Sequence, residues 1–286
     1  MPGQPKHAND PSNPVSVPDP ETSDRGPGSE SEESDIDMCV SLEGGESDDE
    51  EFTNDKKNPL TIMAILAKPR EPKGGRGYLW PVGTTLKVRF LDGPASVHEK
   101  IMTYARIWET YANIHFQVVK KGFAEIRISL KEKKRWFSRV GTSALSLKNQ
   151  SIRTMNLGVT SETDDEDLKR HVLHEFGHAL GCIHEHSSPV ANIPWNKEEV
   201  YKHYSKWSKE KVDSNIFEQP PSTLYSEFDK YSIMIYTVPA NLTDGKFSCG
   251  YNTELSEMDK RYIGEVYPKQ VAEHVYDESD SPDLYT

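Results

Sequence analysis

The chain reads as an α+β protein on three observations. Short runs of strand length, alternating or continuously apolar, stand at 86–90, 114–119, 124–130, 137–147 and 154–157, and these make a five-stranded sheet. Apolar residues recur at three- and four-residue spacing over 97–111, 168–180 and 256–268, the period of helices with one buried face. After residue 184 the periodicity is weak apart from one short helix and the last one, so the C-terminal part is predicted to be mostly irregular.

Taken in order, residues 1–58 are rich in Pro, Ser, Gly, Glu and Asp. Such a segment cannot bury enough apolar surface to offset its ordering entropy and is predicted to be disordered. Residues 1–60 carry 16 acidic and 4 basic side chains, so the whole formal charge of −12 belongs to them and the remainder balances. Residues 59–75 form a linker or docking segment around the apolar island Leu60–Leu66. The folded domain is placed at 76–268 and a second acidic, mobile tail at 269–286.

Within the domain, Leu86–Phe90 alternates apolar and charged residues, and Asp92-Gly93 then turns the chain. Val97, Ile101, Tyr104, Ala105, Trp108 and Tyr111 form one stripe of an early helix that stops at Asn113. Ile114–Val119 and Ala124–Leu130 follow as strands, and 137–147 with Thr154–Leu157 supply two more. Thr163 and Glu166 have the spacing of a capping box, and the acids from Glu162 to Asp167 suit the positive end of the next helix. Leu168, Val172, Phe176, Ala179 and Leu180 are its buried side. A helix over Lys197–Trp207 and one from an N-cap at Ser256 to Pro268 complete the domain.

The middle helix runs into HEFGHALGCIH, His174 to His184. Four residues turn a helix by about 400° and lift it by about 6 Å, so His174 and His178 leave one face and reach one ion together. Gly181 lets the chain leave the helix, and His184 closes a three-nitrogen site whose fourth position is left for water. Chance produces the five-residue pattern in a chain of this composition about once in ten thousand, so the functional reading rests on it. Neutral imidazoles leave one catalytic Zn2+ its full charge, which lowers a bound water's pKa to about 7, and Glu175 is the natural general base. His171, one turn earlier, is read as a supporting or surface residue, and His186 as a residue of the rim.

The motif matches the metzincin signature of zinc endopeptidases, and Ser232-Ile233-Met234-Ile235-Tyr236 resembles that clan's Met-turn. A tyrosine two residues after the methionine is similar to astacins and serralysins. The resemblance spans roughly residues 76 to 268 and points to a divergent astacin-like branch of microbial and fungal type. It implies a metzincin-like two-lobed domain with a twisted mixed sheet, Met234 as an apolar floor beneath the histidines, and Tyr236 as a mobile fifth ligand that hydrogen-bonds the oxyanion. It also implies that an edge strand near Val140–Ser146 pairs with extended substrate. The chain departs from the astacin pattern at Ser188, Val190 and Ala191, at Ile235 and Cys182, and in lacking the disulfide cysteines.

The expected partners are therefore protein or peptide substrates. No basic patch suggests nucleic acid, no run reaches membrane-spanning length, and the oligomeric state is left open. Without a basic n-region and apolar run at the start, the default compartment is the cytoplasm, which does not exclude export by another route. Cys39, Cys182 and Cys249 are an odd, sparse set that fits reduced thiols. Two alternatives stand beside the peptidase reading: an inactive zinc protein using its acidic tails for binding, and latency through Cys39 or Asp37 at the open position.

Overall fold

A computed structural model describes residues 78–218 and 225–269, which fall within one compact unit. The readings made for residues 1–58 and 59–75, for Cys39, for Leu60–Leu66 and for the tail beyond Lys269 lie outside the described residues.

Strands β1 (Thr85–Phe90), β2 (His115–Val118), β3 (Ile126–Ser129), β4 (Phe137–Ser138) and β5 (Met155–Asn156) form one sheet in the order β2-β1-β3-β5-β4. β2, β1, β3 and β5 are parallel neighbours, and β4 alone runs antiparallel, on β5. The sheet is therefore mixed. Helices α1 (Ala95–Ala105), α2 (Ile107–Tyr111) and α3 (Asp165–Ala179) pack with it around Trp108, Ile128, Leu173 and Phe176. Leu168, Val172, Phe176, Ala179 and Leu180 are all buried, as their period predicts. Trp108 Nε1 donates to Leu173 O at 3.0 Å, so the large ring is satisfied while it fills the core.

A second apolar cluster, Val200, Tyr204, Val212, Ile216, Ile235, Val238 and Leu242, builds the C-terminal lobe. Its helices are short, α4 (Lys197–His203) and α5 (Lys209–Val212), the latter continued by a π-helical turn at Asp213–Phe217. The closing helix α6 (Glu257–Val266) starts at Ser256 with a full capping box to Asp259. Among the described residues no helix is long and apolar enough to cross a membrane.

Four local expectations are corrected. The early apolar stripe is broken at Arg106, which lets α1 lie along α3 while α2 turns onto α6. The α3 N-cap is Asp164, whose Oδ1 accepts from Asp167 N at 2.8 Å, because the Thr163 hydroxyl is engaged by Thr160 N. Gly141–Ser146 is a 3-10 helix rather than an edge strand; Ser143 N to Val140 O and Ser146 Oγ to Ser143 O are local bonds that compete with a ladder. The antiparallel edge is Phe137–Ser138 instead. The helix from Lys197 ends at His203, four residues early, where Tyr204 leaves helical geometry.

Candidate metal centre

His174, His178 and His184 are buried, and their ligand atoms lie within 4.8 Å of one another. His174 Nδ1 donates to Ile233 O at 2.8 Å and His178 Nδ1 to Cys182 O at 2.7 Å. A carbonyl only accepts, so both rings carry their proton on Nδ1 and turn the Nε2 lone pair inward. His178 Nε2 and His184 Nε2 stand 3.2 Å apart. Imidazole nitrogens on a tetrahedral zinc stand about 3.3 Å apart. His174 Nε2 is buried with no hydrogen-bond partner among the described residues, whereas such an atom ordinarily has one. These donors fit a zinc ion.

Electrostatics agrees. Burial first, and then the neighbouring rings, hold His174 and His184 well below the ordinary histidine value. Burial likewise lowers His178 to about 4. All three are neutral at pH 7, the form that ligates a metal.

Each ligand is placed by the chain nearby. Asp164 caps α3, and Asp165, Glu166 and Asp167 complement its dipole before the helix reaches His174. Gly181 turns the chain with φ +106°, as its place in the motif predicts, and Cys182 N then donates to Gly177 O at 2.9 Å. The turn at Met234 packs beneath. Ile233 O receives His174, Met234 O receives Glu185 N at 3.1 Å, and Asp259 holds Ile233 N at 2.7 Å and the Ser232 hydroxyl at 2.6 Å. One carboxylate of α6 thus fixes the peptide that orients His174.

Two of these residues escape a reading of the motif alone. A Cβ at Gly177 would stand 2.4 Å from Met234 Sδ, so the glycine inside the motif lets the methionine touch the helix. A mid-helix glycine ordinarily costs about 1 kcal/mol against alanine, and that was the available signal. For Asp259 the sequence offers only an acid three residues after the Ser256 N-cap.

The remaining predicted residues are close together. Glu175 is fully buried on α3 beside His174. Tyr236 is 8% exposed, its ring centred 4.2 Å from His184 and 6.3 Å from His174. Two histidines are more enclosed than expected. His171 is buried, stacked on Trp136 at 4.0 Å, and stands outside the three-histidine group. His186 is no rim residue: it is buried, packs on Tyr236 at 4.6 Å, and donates through Nε2 to Asn215 O at 2.9 Å in the π-helical turn that covers it. Of the cysteines, Cys182 and Cys249 are free thiols.

No protein-family model matches the chain, and no curated protein does. Among solved structures it is similar to myroilysin, with 40% identity and a TM-score of 0.65 over 68% of this chain and 97% of that one. A second myroilysin crystal structure gives 38% identity and a TM-score of 0.54, covering 73% of this chain and all of the other. With a three-histidine site of this geometry at HEFGHALGCIH, the chain belongs to the astacin-like family of metzincin zinc metalloproteases.

Proposed function

We propose that this zinc metalloprotease hydrolyses internal peptide bonds with Glu175 as general base and Tyr236 as oxyanion donor. His174, His178 and His184 would hold the ion through their inward-facing ring nitrogens. When bound, zinc supplies Lewis acidity, lowering a water's pKa to about 7 and drawing charge from a carbonyl oxygen. Glu175 takes the proton of the attacking water and delivers it to the leaving amine. The Tyr236 hydroxyl donates to the oxygen on which negative charge develops. Met234, packed against Gly177, is the apolar floor beneath the histidines. The domain that does this is residues 76–268.

The observation that carries the reading is the convergence of three histidine nitrogens within 4.8 Å of one another, with Ile233 O and Cys182 O fixing two of the rings. The test is casein or mixed-peptide hydrolysis by the zinc-loaded chain beside Glu175→Gln and a chelated sample. We expect Glu175→Gln to retain one zinc and lose roughly 10²- to 10⁴-fold in kcat. Unchanged turnover in Glu175→Gln would exclude that residue as the base. Zinc without cleavage would favour a binding protein.

A further inference from the structure

Two enclosed imidazole nitrogens beside the metal centre lack partners, and they are of opposite kind. His186 donates through Nε2 to Asn215 O at 2.9 Å, and burial keeps the ring neutral at pH 7. A neutral imidazole carries one ring proton, so its Nδ1 holds a lone pair and can only accept. That atom is enclosed, on a residue 3% exposed, and meets no donor. His184 has the reverse arrangement. Its Nε2 stands 3.2 Å from His178 Nε2 and faces the same point, so with the metal bound its proton sits on Nδ1. This Nδ1 is also enclosed, on a residue 1% exposed, and meets no acceptor.

A ligating histidine ordinarily gives its second ring N–H to a carbonyl, a carboxylate or a water, which fixes the ring and raises its basicity. His174 and His178 use Ile233 O and Cys182 O. For His184 the nearby lone pair is that of His186, whose ring centre lies 5.2 Å away with its plane 17° from parallel. The two nitrogens do not bond each other directly. Two hydrogen bonds of about 2.9 Å that meet at one oxygen span about 4.7 Å. A single water therefore suits both the ring separation and the polarity, accepting from His184 and donating to His186. Buried waters make about three hydrogen bonds, and the Ser187 hydroxyl is a third group for it, buried in the same 3-10 turn and likewise unpartnered.

We propose that one buried water joins His184 Nδ1 to His186 Nδ1, and that His186 is thereby a positioning residue for the third zinc ligand. The link runs from Asn215 O in the π-helical turn, through the His186 ring and the water, to His184. The third ligand thus takes its orientation from the C-terminal lobe, whereas the first takes its own from the Met234 turn and the second from the Gly181 turn. Tyr236 packs on both rings, 4.2 Å from His184 and 4.6 Å from His186, so the same link sets the shelf beneath the proposed oxyanion donor.

The link rests on the reading of the three histidines as zinc ligands and is independent of whether peptide bonds are cut. Competitive chelator titration of the full chain measures zinc affinity in the wild type and in three variants. His186→Gln keeps an N–H where Nε2 stands but offers no acceptor at the Nδ1 position. His186→Asn keeps that acceptor and gives up the bond to Asn215, and His186→Phe keeps only a ring. We expect zinc to bind about 10- to 100-fold more weakly in His186→Gln and His186→Phe, and to lose only a few-fold in His186→Asn. Affinity that is unchanged in His186→Gln, or that falls as far in His186→Asn as in His186→Gln, overturns the link and leaves His186 a strut for the π-helical turn. Density of the zinc-loaded wild type at high resolution decides the matter even where no variant folds. One oxygen within about 3.2 Å of both Nδ1 atoms is expected, and a site without it overturns the link. A wild type that binds no zinc overturns the metal reading itself.

Discussion

Protonating His171 would place a second cation beside the Arg170 guanidinium, in a slot closed by the Trp136 and Tyr251 rings. Burial chiefly, and Arg170 after it, push this histidine down to about 3. Between its ordinary value near 6.5 and about 3 the unfolded chain therefore binds the proton and the folded one does not. Stability from this residue is complete above pH 6.5 and is lost as pH falls through that window, at most about 5 kcal/mol in all. His171→Phe keeps a ring against Trp136 and should flatten that part of the curve. Urea unfolding at pH 7.5 and pH 5 reads the difference, and the same acid loss in both proteins would disprove it. His171 and His174 are three residues apart in one helix, and only contacts distant in sequence make one a stacked core ring and the other a candidate ligand.

At the scale of elements, α3 is held to the Met234 turn by contact and by hydrogen bonds. Gly177 is the point of closest approach, and the turn cannot retreat freely because Glu185 N and the Ser232 hydroxyl hold Met234 on both backbone sides. Gly177→Ala gains about 1 kcal/mol of helix propensity but forces a Cβ into Met234, and overpacking costs about 1–3 kcal/mol. We expect a net loss of up to about 2 kcal/mol together with weaker zinc retention, because His174 takes its orientation from the same turn. Calorimetry with a competitive chelator titration measures both. A more stable Gly177→Ala protein with full zinc affinity would show that the turn yields.

For the whole molecule, the beginning and end of the described chain meet over the C-terminus of α3. Tyr267 donates its hydroxyl to Leu180 O at 2.6 Å and accepts from Trp80 N at 3.2 Å, while Trp80 Nε1 donates to Ala179 O at 2.8 Å. This clamp closes directly before the Gly181 turn that delivers His184. Its members stand at 80 and 267, and the net charge of −12 lies before residue 61. A chain trimmed to residues 76–268 should therefore unfold cooperatively, within a few degrees of the full chain, and bind one zinc. Thermal unfolding and metal analysis test this. Loss of the transition would place part of the fold outside those bounds.

Sequence by itself determined whatever depends on neighbours a few residues away. The 3.6-residue period located α3 and α6, and the spacing of His174, His178, Gly181 and His184 located the centre, because a helix turns by a constant angle. Tertiary structure alone decided which groups from elsewhere complete that centre. Asp259 holds the peptide that receives His174, and His186 is sealed under an aperiodic π-helical turn. None of these has a local signature, since hydrogen bonding and burial depend on distance in space, and residues far apart in the chain become neighbours only once both lobes have packed.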